Sequence, residues 1–166
     1  PLALLALASG CLYLAGMVWN DLFDRAEDAR DRPFRPLPSG RVTVRTAGLL
    51  AGALTLVGVG LTFLAGSALL GVALAVAVLL YDGWLKATPL GPVAMGACRF
   101  LNVLLGLSAI PADALPLDLR AHTAGVVGLY IVGVTWFART EATESSRLGR
   151  VGGASVIAVS LLLALV

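Results

Sequence analysis

The sequence predicts an all-α protein, a multi-pass bundle of transmembrane helices. Three observations carry that expectation. The 166-residue chain is 58% hydrophobic and only 13% charged, with a mean hydropathy of +0.91, whereas soluble domains carry charge on about a quarter of their residues. Its apolar residues fall in six runs, each near the roughly 20 residues that a spanning helix needs. Its basic residues collect in alternate connections, the asymmetry that orients membrane helices.

The runs cover residues 2–19, 44–64, 68–85, 92–110, 121–138 and 151–166. The first is not read as a signal peptide, because no basic segment precedes it and charged sequence follows it. Because the chain opens on Pro1 and the last run reaches Val166 without a polar cap, the expectation is one transmembrane domain over 1–166, incomplete at both ends. The first connection holds Arg25, Arg30, Arg32, Arg35, Arg41 and Arg45, the third holds Lys86, and the fifth holds Arg139, Arg147 and Arg150. The second has no basic residue and the fourth only Arg120. The odd-numbered connections are therefore expected on the cytoplasmic side. Glycine and alanine recur at three- and four-residue spacing within the runs, as in "AGLLAGALTLVGVG", which lets helix backbones approach closely in lipid. Cys11 and Cys98 lie singly inside apolar runs and read as small buried residues. No basic patch of the kind that binds nucleic acid is visible.

The connection after the first run, "WNDLFDRAEDARDRPFRPLPSGRV", is where the charge concentrates. Asp21, Asp24 and Asp28 are three and four residues apart, on one face of a helix. Like charges about 4 Å apart repel by about 1 kcal/mol in water and about 4 at the effective dielectric near a protein surface, so a cation is the natural partner. An all-oxygen donor set of a few carboxylates suits Mg²⁺. Prolines then break the helix, and Arg32, Arg35 and Arg41 can turn back toward the same volume. Carboxylates, a metal and arginines together describe a phosphate-binding pocket. The same charges also permit a plainer reading. Asp21 with Arg25 and Asp28 with Arg32 are i,i+4 pairs, worth about 0.3–0.5 kcal/mol each on an exposed helix.

The wording of this stretch, "NDLFDRAED" followed by "RPLPSGR", resembles the first signature of the UbiA family of intramembrane prenyltransferases. The phrases "CLYLAGMVWNDLFDRAED", "GPVAMGACRFLN" and "AHTAG…ARTEA" look most like a bacterial branch that includes ebo-cluster proteins. The resemblance implies a UbiA-type bundle, with about six helices present of an expected nine. It implies Mg²⁺ held by Asp21, Asp24 and Asp28, and a prenyl diphosphate donor contacted by Asn20, Arg32, Arg35, Arg41, Tyr81 and Lys86. Lys86, in "YDGWLK", stands where the family has a diphosphate-contacting lysine. Arg99 and Asn102 join the substrate-binding set because they share a face about one turn inside the fifth run, where an arginine is costly unless it faces a polar cavity.

The family's second signature is degenerate here. In "RTEATESSRLGR", Arg139, Ala142 and Ser146 stand at its expected aspartate positions, and the nearby acids are Glu141 and Glu144. Two functions follow from the resemblance. The first is transfer of a prenyl group to a lipophilic or amphiphilic acceptor in the bacterial inner membrane, with the active site facing the cytoplasm. The second is a protein without turnover that binds a prenyl lipid in a biosynthesis or export system. Tyr13, Tyr81 and Trp84 are aromatic candidates to stabilise an allylic cation, although aromatics near a membrane interface also serve as anchors. His122, at the other end of its helix, reads as structural. A CDP-alcohol phosphotransferase is set aside, since its Asp-Gly-x-x-Ala-Arg pattern does not occur.

Overall fold

The run after Pro1 becomes α1, Leu2–Phe23, and a short α2, Arg25–Asp31, continues it through a turn at Asp24. The computed structural model describes residues 1–142 and 147–165, with side chains at 1–139 and 149–165. The remaining elements are α3 (Val44–Leu64), α4 (Ala68–Gly83), α5 (Gly91–Leu107), α6 (Leu117–Ala142) and α7 (Arg147–Leu163), with a 3₁₀ turn at Leu85–Ala87. The structure is all-helical, and no strand occurs among the described residues.

Six apolar helices therefore stand where six runs were read. Three stretches, Leu2–Phe23, Val44–Leu64 and Leu117–Arg139, are long and apolar enough to cross a membrane. The other three are shorter, two of them for local reasons. The third run stops as helix at Gly83, because Trp84 leaves helical geometry and the 3₁₀ turn follows. The fourth starts at Gly91, with Pro at its first turn, and ends at Leu107.

The chain divides into two compact units, Pro1–Gly83 and Trp84–Val166. In the first, α1 packs along α3, and α4 touches both. The buried stripe of α1 is Leu5, Ala8, Leu12 and Ala15, the three- and four-residue repeat of one helix face. Leu12 lies over Gly58 of α3, where an added Cβ would stand 2.8 Å from Leu12 Cγ and 3.2 Å from the Ala8 carbonyl. Gly71 of α4 likewise faces Thr62, with no room for a Cβ. Trp19 Nε1 donates to Thr55 Oγ1 at 3.2 Å, and Thr55 Oγ1 donates to the Ala51 carbonyl at 2.8 Å. Thr55→Val keeps the shape and removes this link between α1 and α3. It is expected to cost about 0.6 kcal/mol, the mean for hydrogen bonds between membrane helices, measured by unfolding in mixed micelles.

In the second unit α5 packs on α6 and α6 on α7. Both contacts are made of glycine against backbone. A Cβ on Gly96 would meet Val132 and come within 2.7 Å of the Gly128 carbonyl, and one on Gly128 would stand 3.1 Å from the Gly96 carbonyl. Between α6 and α7, Gly153 lies against the Phe137 amide and Gly133 against the Ile157 amide, both at 2.9 Å from an added Cβ. Close approach through small residues, read from the runs, is how these helices meet. Arg120 braces the connection before α6, donating to the carbonyls of Leu115 and Ile110 at 2.7 Å each. The His122 Nε2 lies 3.0 Å from the Leu163 carbonyl, tying α6 to the end of α7. Cys98 is buried and Cys11 half-buried, both unbridged.

Candidate functional site at the end of the first span

The acidic island folds as a helix end followed by a loop that turns back on it. The backbone ladder runs through the break, with the Asp24 amide donating to Asn20 at 2.9 Å and the Asp28 amide to Asp24 at 2.8 Å. Asp21, Asp24 and Asp28 thus keep nearly helical bearings. At 100° per residue, Asp21 and Asp28 differ by about 20° around the axis and lie about 10 Å apart along it, with Asp24 to one side.

Past Asp31 the prolines end the helix and a chain of turns takes over. The Arg35 amide donates to Arg32 at 3.0 Å, the Ser39 amide to Arg35 at 3.0 Å, and the Val42 amide to Pro36 at 3.1 Å. Gly40 takes φ +76°, a left-handed conformation that glycine adopts without strain. Arg41 closes the loop on itself, its Nη2 donating to the Phe34 carbonyl at 2.6 Å and its Nε to Ser39 Oγ at 3.2 Å. Thr43 then caps α3 by accepting from the Thr46 amide at 3.1 Å.

This loop delivers Arg35 to the acidic face. Its Nη1 donates to Asp28 Oδ2 at 2.8 Å and to Asp21 Oδ1 at 3.3 Å. Asp28 is 7% exposed, while the Asp21 side chain is 49% exposed. The hydrogen bond to Asp28, helped by the charges of Asp28, Asp21 and Asp24 and opposed by partial burial, raises the Arg35 pKa above its ordinary value. The sign matters for stability. As far as the guanidinium itself titrates, a raised basic pKa means that the contribution is lost only as pH rises above its ordinary value. The i,i+4 pairs Asp21–Arg25 and Asp28–Arg32 do not form; both aspartates pair with Arg35 instead. Asn20 Nδ2 donates to Asp24 Oδ2 at 3.0 Å.

An open polar pocket of about 180 Å³ lies here, lined by Asn20, Asp24, Glu27, Asp28, Asp31, Arg32 and Arg35. Five of the expected residues of this unit, Asn20, Asp24, Asp28, Arg32 and Arg35, therefore meet at one hollow. Asp21 reaches it only through Arg35. Arg41 holds the loop instead of lining the pocket, with Nη2 on Phe34 and Nε on Ser39. Tyr81, on α4, is half-buried and is not among the lining residues. The expected convergence of three carboxylates is not present as such: among the described residues, no three His, Cys, Asp or Glu side chains stand close enough to hold a metal ion. Asp21 and Asp28 lie about two turns apart along the helix, and the Arg35 guanidinium stands between them. The donor chemistry nevertheless fits a hard cation, since two carboxylates already share one positive centre and Asn20 and Asp24 add neutral and anionic oxygens beside it.

Asp82 is a buried acid that reading from sequence passed over. It is 5% exposed in α4, and its Oδ2 lies 3.9 Å from where a Cβ on Gly16 of α1 would stand. The signal was there, as the lone carboxylate of the third run, and a buried acid in a membrane helix marks function more often than packing.

In the second unit, Lys86 sits in the 3₁₀ turn and is half-buried. Arg139 of α6 donates from Nη1 to the Thr88 carbonyl at 2.7 Å. It rests on Gly91, where an added Cβ would be 2.5 Å from Arg139 Nη1 and 2.9 Å from the Lys86 carbonyl. The arginine that replaces an expected acid is thus fastened to the segment that carries Lys86. Arg99 and Asn102 lie half-buried on one face of α5. Tyr13 and Trp84 are exposed, at 53% and 75%. Glu141, Ala142, Glu144 and Ser146 lie outside the residues whose side chains are described.

Comparison with known proteins bears on these features. The model of the UbiA prenyltransferase family matches residues 1–164. A digeranylgeranylglyceryl phosphate synthase of Methanopyrus kandleri is 40% identical over 119 residues, 68% of this chain and 43% of that protein. The synthase of the same name from Saccharolobus solfataricus is 32% identical over 111 residues, 65% of this chain and 39% of that protein. The mitochondrial 4-hydroxybenzoate polyprenyltransferase of Schizosaccharomyces pombe is 32% identical over 139 residues, 81% of this chain and 37% of that protein. The chain thus spans less than half the length of these relatives. No solved structure matches it. The apolar helices make it an integral membrane protein, and a family match over nearly every residue of both units decides which kind: the chain belongs to the UbiA prenyltransferase family.

Proposed function

We propose that this chain is the first-signature part of an intramembrane prenyltransferase that moves a prenyl group from its diphosphate to a lipophilic or amphiphilic acceptor. The observation that carries the reading is the pocket where Asn20, Asp24, Asp28, Arg32 and Arg35 meet at the end of α1. In this reading Asp21, Asp24 and Asp28 hold Mg²⁺, with Asn20 orienting Asp24 by its hydrogen bond. The metal, when bound, neutralises charge on the diphosphate and makes it a better leaving group. Arg32 and Arg35 bind diphosphate oxygens, a task for which a planar guanidinium is well shaped. Lys86, Arg99, Asn102 and Tyr81 complete the substrate-binding set in the proposal, and Arg41 serves it by holding the Arg35 loop. As the allylic C–O bond breaks, the electron pair leaves with the diphosphate, and the apolar helices keep water from the cation until the acceptor captures it and loses a proton.

The names of the relatives suggest two acceptor classes, a glyceryl phosphate that already bears one prenyl chain and a hydroxybenzoate. Six of the seven similar proteins are digeranylgeranylglyceryl phosphate synthases, so the glyceryl phosphate is the acceptor proposed. Basic residues in the odd-numbered connections support a site on the cytoplasmic side, and a bacterial inner membrane is proposed as its location. The second reading, a prenyl-lipid-binding protein without turnover, draws on Arg139, a cation where the family's second signature has an acid. The purified protein in detergent, given Mg²⁺ and geranylgeranyl diphosphate, decides between them. Pyrophosphate release on adding geranylgeranylglyceryl phosphate, and less or none with 4-hydroxybenzoate, supports the proposal. Donor binding with no release for any acceptor supports the second reading instead.

A further inference from the structure

Two aspartates that are spaced for a cation already have one, and it is covalently part of the chain. Asp28 is nearly buried, so its charge needs a partner at all times. That partner comes from the loop, not from the neighbouring helix arginines, and one nitrogen of it serves both Asp21 and Asp28. The same side chain lines the pocket in which an anion would sit. A guanidinium accepts phosphate oxygens as readily as carboxylates. We propose that Arg35 is a tethered counter-ion that competes with the divalent cation for Asp21 and Asp28, and that a diphosphate relieves the competition by drawing the guanidinium to itself. This rests on the metal and diphosphate reading above and adds an order to it: the metal alone binds weakly, and metal and diphosphate strengthen one another's binding. Such coupling is reciprocal and commonly five- to 150-fold.

The test is binding, not turnover. Mn²⁺, as a paramagnetic substitute for Mg²⁺, is titrated into the purified protein in detergent and followed by electron paramagnetic resonance, first alone and then as its preformed pyrophosphate complex. Arg35→Gln, which keeps a donor but no charge, is expected to tighten binding of Mn²⁺ alone by about tenfold and to weaken binding of the pyrophosphate complex by a similar factor. A change of opposite sign in the two titrations is not what a merely structural arginine would produce. Arg35→Lys keeps the charge but not the fork, so it falls between the two and serves where the glutamine variant does not fold. If Arg35→Gln and Arg35→Lys bind Mn²⁺ alone within twofold of the unaltered protein while Asp28→Asn weakens it, the metal site stands and the counter-ion role is overturned. If Asp28→Asn and Asp21→Asn leave Mn²⁺ binding unchanged with either residue at 35, the metal reading itself fails.

Discussion

Asp28→Asn is expected to lower pyrophosphate release by about 10²- to 10³-fold, the usual effect of removing one preorganised electrostatic element from an active site. Asparagine keeps the size of the side chain and an oxygen to accept from Arg35, so the loop stays docked. What goes is the negative charge, and with it the anchor of the proposed cation and half of the pull that positions the guanidinium. The effect should fall on the chemical step more than on donor binding, because Arg32 and Arg35 keep their positive charge. Asp118→Asn, an exposed acid at the start of α6, should leave the rate within about twofold, since exposed charges far from partners contribute little. A pyrophosphate assay on the two variants, each checked for folding by circular dichroism, reads both outcomes. Equal rates in all three proteins would remove Asp28 from the mechanism.

Gly96→Val should destabilise the second unit by about 2–3 kcal/mol, toward the upper end of what overpacking a tight contact costs. The added Cβ would meet Val132 and stand 2.7 Å from the Gly128 carbonyl. A backbone carbonyl within a helix has nowhere to move, so α5 and α6 must separate along their length. Gly106 makes the control. It lies on the same helix with nothing within 4 Å of an added Cβ, and Gly106→Ala is expected to be neutral or to stabilise by up to about 1 kcal/mol from helix propensity alone. Thermal unfolding in detergent compares the two. If Gly96→Val unfolds no earlier than Gly106→Ala, the close α5–α6 crossing is not what holds this unit together.

Much of this protein was legible from residue order, and the reason is that membrane helices are local objects. Runs such as 44–64 satisfy their own backbone polar groups, so their apolar length alone announces them, and α3 occupies those residues. The failures were at the ends. The run 68–85 loses its last two residues because Trp84 and the 3₁₀ turn interrupt it, a choice that apolar character does not reveal. Asp82 stands alone among apolar residues in the sequence, and what sets it apart is burial against α1, which residue order does not reveal. Arg41 was grouped with Arg32 and Arg35 by proximity in the chain, yet the turn at Gly40 sends it to Phe34 and Ser39.

By itself the order of residues determined that this chain is a set of apolar helices with an acidic face at the end of the first. Hydrophobic length, charge placement and the wording of one motif are all properties of neighbours in sequence. Only the tertiary structure decided which cation answers that face. Arg25 and Arg32 have the helical spacing, but Arg35 has the contact, because a proline-broken loop returns to the helix it left, and a guanidinium brought back by the fold reaches two carboxylates that lie about two turns apart.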